Sequence, residues 1–274
     1  MERRLVRLAL AEDVGPGDIT TSSLIPARRR GRAVFIAREP LVVAGTAVAG
    51  EVFRALDPRC RVRVLCPDGR SARQGQRLAE VSGPLSAILA GERTALNFLR
   101  HLSGVATLTR RFAQALRGTA CRLLDTRKTT PGMRALEKAA VRAGGGHNHR
   151  RGLFDAVLIK NNHIDAVGGI ERAVERARRR LGHGVPIEVE VRSLAELRQA
   201  LDAGVDRVLL DNFSIPRLRR AVRLCAGRVQ TEASGNIRLS NARDYAETGV
   251  DFISVGALTH SAKSADISLR VACR

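Results

Sequence analysis

Apolar residues in this chain keep two different rhythms, and the change from one to the other falls near residue 121. In the first part Leu5, Val6 and Leu8 have helical spacing within Arg3 to Leu10, after which Gly15-Pro16-Gly17 forces a turn and Asp18 stands where a helix cap belongs. From about Ala33 to Cys66 the runs RAVFIARE, LVVAG and RVRVLC are rich in β-branched residues and predict strands, with a helix from about Ala47 to Leu56 among them. A fourth strand, RLAEVSG (Arg77 to Gly83), ends at Gly83-Pro84. Leu85, Ile88, Leu89, Leu96, Leu99 and Leu102 then recur at three and four residues, a helical pattern that Gly91 and Gly104 are expected to divide into two or three helices. This part reads as a small α+β unit closed by helices.

From Cys121 onward short apolar runs alternate with stretches of helical spacing. The runs are CRLLDT, AVLIKNN, IEVEV, RVLLDN, VQTEAS and FISVG. Such alternation predicts a parallel sheet, and six units without a Gly-x-Gly-x-x-Gly turn point to an α/β barrel rather than an open nucleotide-binding sheet. In order, the strands end at Asp125 with Arg127, at Lys160, Glu190, Asp211, Ser234-Gly235 and Gly256. In a parallel barrel all of these lie on one rim, the rim that holds active sites. The plainer reading of Glu190 and Asp211 is that they cap the helices that follow.

The stretch from Asp125 to His163 carries the densest candidate chemistry. Arg127, Lys128, His149, Arg150, Arg151 and Lys160 surround two turn-forming clusters, Thr129-Thr130-Pro131-Gly132 and Gly144-Gly145-Gly146, so fixed cations and backbone N–H groups can converge on an anion. The chain has 43 Arg but only 4 Lys, and Lys128, Lys138 and Lys160 all fall here. Cations on early strands, carboxylates in the middle and glycines on the last two suit a ligand with several anionic groups, a hydroxyl-bearing or metal-bridged part, and a terminal phosphate. Ser234-Gly235-Asn236 and Val255-Gly256-Ala257 occupy the late loops that commonly cradle phosphate. His147 and His149 form a His-x-His pair, but two ligands without a third nearby are more often loop histidines.

Composition narrows the classes. With 274 residues and 44% hydrophobic content the chain buries a substantial core as one large or two modest domains. A net charge of +20 raises nucleic acid as a partner, yet the arginines run along the whole length and aromatics are only 3%, too few for base-stacking platforms. Most of the charge, the Arg28 to Arg32 run included, reads as solvated surface. Five cysteines (Cys60, Cys66, Cys121, Cys225, Cys273) contain no Cys-x-x-Cys pair and indicate neither a disulfide framework nor zinc. A cytoplasmic protein is expected, and no apolar window approaches membrane-spanning length.

The motifs EDVGPGDITT, GERTALNFLRHLSG, DTRKTTPG, GGGHNHR, LIKNNH, EVEV, LLDN, EASGNI and ISVGALTHS together resemble those of the quinolinate phosphoribosyltransferases, in order and spacing and over nearly the whole chain. The resemblance implies an N-terminal α+β sandwich domain (1–105, joined by the tail 265–274) and an incomplete parallel α/β barrel of about six strands (106–264). It implies conversion of quinolinate and phosphoribosyl pyrophosphate, with Mg²⁺, to nicotinate mononucleotide, pyrophosphate and carbon dioxide in NAD biosynthesis. It also implies a homodimer in which Arg93 enters the neighbouring subunit's site, and no specific nucleic acid or membrane partner. By resemblance Arg93, Thr126, Arg127, Lys128, His149, Arg150 and Lys160 bind substrate. Lys128, Lys160, Glu190 and Asp211 form the catalytic set, with Glu190 and Asp211 facing the ribose directly or through Mg²⁺. Where the family usually reads Lys-Asp-Asn-His this chain has Lys160-Asn161-Asn162-His163, so a negative charge beside the lysine is missing. Two alternatives are a same-family paralogue with another substrate, such as the molybdenum-transport-associated relatives, and a basic nucleic-acid-binding protein.

Overall fold

The computed structural model describes residues 2–182 and 184–272, so Cys273 lies outside the described residues. The chain forms two compact units. The first comprises the described residues within Met1–Arg110, Thr129–Gly145 and Leu258–Arg274, and the second comprises those within Arg111–Lys128 and Gly146–Ala257.

In chain order the elements begin with α1 (Glu2–Asp13), α2 (Ile19–Leu24), β1 (Arg30–Ala37), β2 (Leu41–Val42), α3 (Thr46–Leu56), β3 (Arg61–Val64), β4 (Ser71–Ala72), β5 (Arg77–Pro84) and α4 (Leu85–Ala115), whose last five residues belong to the second unit. Asp18 caps α2 by accepting the Thr21 N–H at 2.9 Å, the role its position predicts. Buried Ala33, Phe35 and Ala37 alternate along β1 with less buried residues, and Phe35 meets Phe53 of α3 at 6.1 Å between ring centroids. This one-sided burial suits an antiparallel sheet covered on one face.

Two expectations change here. The stretch LVVAG yields only the two-residue β2, because Gly45 adopts φ 96° and Asp68 accepts the Gly45 and Thr46 N–H groups, starting α3. The long helical stretch is not divided at Gly91 or Gly104 but forms the single 31-residue α4. Both glycines serve close packing instead. A Cβ on Gly91 would lie 2.9 Å from Leu56 Cδ1, and one on Gly104 would lie 2.2 Å from the Lys263 carbonyl oxygen.

The chain continues through β6 (Arg122–Leu124), α5 (Arg134–Gly144), β7 (Val157–Ile159), α6 (Asn161–Val167), α7 (Ile170–Leu181), β8 (Ile187–Val191), α8 (Leu194–Asp202), β9 (Arg207–Asp211), α9 (Ile215–Cys225), β10 (Gln230–Ser234), α10 (Ala242–Ala246), β11 (Phe252–Ser254), α11 (Ala257–His260) and β12 (Ile267–Ala272). β12 returns to the first unit, whose sheet has the order β12-β1-β5-β3, antiparallel throughout.

All six strands expected in the second half are present, and they form one parallel sheet in the order β6-β11-β10-β9-β8-β7. The first and last strands in sequence, β6 and β11, are paired, as barrel closure requires, while β6 and β7 are not. On its other side β6 meets only a parallel bridge from Leu124 to His147. The result is an incomplete α/β barrel. One set of alternating residues, Ile187, Val189 and Val191 with Val208, Leu210 and Ala233, is buried and apolar. The other set includes Glu188, Glu190, Arg207, Asp211, Glu232 and Ser234, and it holds the charged and polar side chains. No helix among the described residues is long and apolar enough to cross a membrane.

Candidate active site at the rim of the parallel sheet

Lys160 directly follows β7, and its Nζ lies 3.8 Å from Oε2 of Glu190, the last residue but one of β8. Asn161, the first residue of α6, donates its amide to the other Glu190 oxygen at 3.2 Å. An aspartate at 161 would place a further carboxylate against Glu190; the amide supplies a donor instead. Burial raises the Glu190 carboxyl above the usual range, the nearby charge of Lys160 opposes this, and that of Asp211 adds to it. Asp211, at the end of β9, is therefore close enough to repel Glu190. The N-cap positions of α8 and α9 are Ser193 and Ser214, and Ser193 accepts the Glu196 N–H at 3.0 Å. Glu190 and Asp211 are thus not the caps of those helices.

The loop after β10 is held by backbone geometry. Gly235 has φ 96°, and a Cβ there would lie 2.2 Å from Asn212 Oδ1. Asn212 N–H donates to the Ser234 carbonyl at 2.9 Å, and Asn236 Nδ2 donates to Asn212 Oδ1 at 3.1 Å. Ser234, Gly235 and Asn236 are thereby tied to the end of β9 next to Asp211. Val255, after β11, donates to the Leu124 carbonyl at 3.0 Å and leads into Gly256 and Ala257 at the start of α11.

The cationic side follows β6. Thr126 Oγ1 accepts the Lys128 N–H at 3.0 Å, folding Arg127 into a tight turn between them. Asp125, fully buried, accepts the His149 N–H at 2.8 Å and the Asn148 amide at 2.6 Å, which draws the Gly146–Arg150 segment against β6. Arg150 donates to the Ala156 carbonyl at 3.2 Å. Its pKa is lowered by burial and then by the charge of Arg127, so two half-buried guanidinium groups stand near one another. The charges of Glu188 and Asp155 offset part of that repulsion.

Two further carboxylates lie on this face, and the sequence reading did not single them out. His149 Nε2 is 3.1 Å from Glu188 Oε2 and 3.5 Å from Glu232 Oε2. Arg207 Nη1 is 3.7 Å from the same Glu232 oxygen. Burial and then the charge of Glu188 push the Glu232 carboxyl up to about 8. A signal for both was present: each stands two residues before a rim residue on the same strand, Glu188 before Glu190 and Glu232 before Ser234, and so shares its face. His147 is not part of this group, so the His-x-His pair does not converge.

Fourteen of the fifteen residues proposed for the site therefore belong to the second unit, at or beside its strand ends. The exception is Arg93, at an exposed position of α4 in the first unit. The N-terminal domain model of quinolinate phosphoribosyl transferase matches residues 18–103, and the C-terminal domain model matches residues 105–270. The chain belongs to the quinolinate phosphoribosyl transferase family. It is 43% identical over 269 residues to the probable nicotinate-nucleotide pyrophosphorylase [carboxylating] of Bacillus subtilis, covering 98% of this chain and 93% of the relative. The chloroplastic nicotinate-nucleotide pyrophosphorylase [carboxylating] of Arabidopsis thaliana is 42% identical, over 98% of this chain and 82% of its own length. Among solved structures, the nicotinate-nucleotide pyrophosphorylase from Francisella tularensis superposes with a TM-score of 0.94 at 45% identity, covering 99% of this chain and 96% of the other. Both units of this family member are therefore matched in one relative.

Proposed function

We propose that this chain transfers the phosphoribosyl group of phosphoribosyl pyrophosphate to the ring nitrogen of quinolinate, and that the sheet rim of the second unit is where it does so. The products are nicotinate mononucleotide, pyrophosphate and carbon dioxide. The observation that carries the assignment of the rim is the pair of neighbouring guanidinium groups, Arg127 and Arg150, since mutual repulsion at a half-buried site fits a ligand with two carboxylates. Quinolinate is such a ligand, and Lys128 adds a further cation on the same turn.

Opposite them, Glu190 and Asp211 face the ribose. Their negative charge stabilises the cationic character that develops at the anomeric carbon as pyrophosphate departs. The Ser234–Asn236 loop and the Val255–Ala257 loop hold the 5′-phosphate through backbone N–H groups. Mg²⁺ fits the oxygen-only donors of Glu190 and Asp211, and when bound it supplies charge neutralisation at the pyrophosphate. Lys160, 3.8 Å from Glu190, keeps that carboxylate oriented and adds a cation at the pyrophosphate side.

After ribosylation the ring nitrogen is positive. The carboxylate on the adjacent ring carbon then leaves as carbon dioxide, its bonding pair remaining on that carbon next to the cationic nitrogen until a proton replaces it. The protein's contribution is orientation and charge placement, with no covalent nucleophile. We assign the chain to the cytoplasm and to a homodimer, in which Arg93 of each subunit completes the carboxylate site of the other. The exposed position of Arg93 on α4 supports that role. The test is turnover of quinolinate against nicotinic acid, which lacks the second carboxylate and leaves a guanidinium unmatched.

A further inference from the structure

We infer that Glu188 and Glu232 form a buried acidic floor whose task is to fix the ring of His149 and, through it, the position of Arg150. Neither carboxylate belongs to the rim set, and the inference rests on the reading of Arg127 and Arg150 as the quinolinate carboxylate site.

The geometry runs in one direction. Arg150 N–H donates to His149 Nδ1 at 2.7 Å, so that nitrogen is an acceptor and the ring proton sits on Nε2. Nε2–H in turn points at Glu188 Oε2, 3.1 Å away, with Glu232 Oε2 at 3.5 Å. The two carboxylates draw the ring toward a second proton, but that proton would sit on Nδ1 against the Arg150 N–H. The neutral Nε2–H form satisfies both contacts.

With its nitrogens engaged on the Glu188 side and on the Arg150 backbone, the His149 ring holds the chain at 149 and 150, and it serves the substrate binding expected of it through the placing of Arg150. Asp125 holds the same segment from the other side through the His149 N–H at 2.8 Å. The charge of Glu188 also reaches the Arg150 guanidinium and offsets part of its repulsion from Arg127. Glu188 Oε1 is buried without a hydrogen-bond partner, and Glu232 has Ser254, His149 and Arg207 around it, so the position of the floor depends on those neighbours. His149, Glu188 and Glu232 also have the donor set of a small metal site. The ring orientation argues against that use, because a proton already occupies the nitrogen that would bind the ion.

Glu188 and Glu232 are thus positioning residues. The test compares Glu188→Leu, which removes the acceptor, with Glu188→Gln, which keeps an acceptor of the same shape without its charge. Each is followed by steady-state kinetics, by melting temperature and by ¹⁵N-histidine NMR, with the His149 signal assigned by its loss in His149→Gln. Glu188→Leu should raise KM for quinolinate about tenfold or more, with kcat and the KM for phosphoribosyl pyrophosphate within about twofold of wild type. It should also shift His149 away from the Nε2–H tautomer. Glu188→Gln should restore the tautomer and most of the quinolinate KM. Folded Glu188→Leu protein with a wild-type quinolinate KM, or an unchanged His149 tautomer, would overturn the inference. So would a loss of thermal stability alone. Wild-type protein that fails to turn over quinolinate would instead defeat the reading on which it rests, while the NMR result would still report on the floor itself.

Discussion

Replacing Gly235 by alanine separates two claims about the loop after β10: that it is packed against Asn212, and that it holds phosphate. The added Cβ would lie 2.2 Å from Asn212 Oδ1 and 2.7 Å from its Cγ, and the backbone would keep φ 96°. A left-handed conformation costs an alanine about 1 to 2 kcal/mol. Displacing the Asn212 side chain breaks the Asn236 to Asn212 hydrogen bond of 3.1 Å, a further loss of about 1 kcal/mol. The sum, about 2 to 3 kcal/mol, corresponds to a fall in Tm of about 5 to 10 °C at the usual scaling for chains of this size. On the proposal that the loop presents its N–H groups to the 5′-phosphate, KM for phosphoribosyl pyrophosphate should rise about tenfold while that for quinolinate changes little. Differential scanning fluorimetry and steady-state kinetics read the two effects. An unchanged Tm would refute the packing argument, and a lowered Tm with an unchanged phosphoribosyl pyrophosphate KM would refute the phosphate argument.

Glu190→Gln and Asp211→Asn keep shape and remove charge, so kcat should fall by more than about tenfold while quinolinate affinity, measured by calorimetry, stays near wild type. Loss of thermal stability with kcat intact would return both residues to a structural role. Mixed dimers of Arg93→Ala and Lys160→Ala chains, each nearly inactive alone, should regain activity after subunit exchange, since one of the two sites then receives an intact barrel and an intact arginine. Exchange without recovery would place Arg93 in its own subunit's site. The raised pKa of Glu232, which shares its pocket with His149, Glu188 and Arg207, opposes folding once the group ionises. The folded state holds more protons than the unfolded state between 4.5 and about 8, so this group's contribution to stability falls as pH rises through that window. Glu232→Gln should gain Tm relative to wild type from the lower to the upper end of it, and a constant difference would contradict the assignment.

Much of this architecture was legible because the parallel strands are short apolar runs whose last residues carry charge or glycine. Lys160, Glu190, Asp211 and Ser234 each stand where the apolar pattern stops, and all four fall at strand ends. Asp18 as a cap followed from the turn before it. Other features depend on partners distant in sequence. Gly91 and Gly104 look like helix breaks until Leu56 and Lys263 are seen against them, since a glycine allowing close approach and a glycine ending a helix are the same letter. β12 is a short run after the barrel motifs, and pairing with β1 makes it a strand. Glu188 and Glu232 look like exposed positions of amphipathic strands. In the folded barrel they are buried side by side, and burial together with the charge of Glu188 raises the pKa of Glu232.

The most direct measurement uses quinolinate labelled in the carboxyl group next to the ring nitrogen. Purified protein is incubated with it, phosphoribosyl pyrophosphate and Mg²⁺, with nicotinic acid in a parallel reaction. The account predicts labelled carbon dioxide and nicotinate mononucleotide in equal amounts, and turnover of nicotinic acid lower by at least about tenfold, since an unmatched half-buried guanidinium costs about 1 to 3 kcal/mol. Comparable turnover of the two acids, or no labelled carbon dioxide from folded protein, would contradict it.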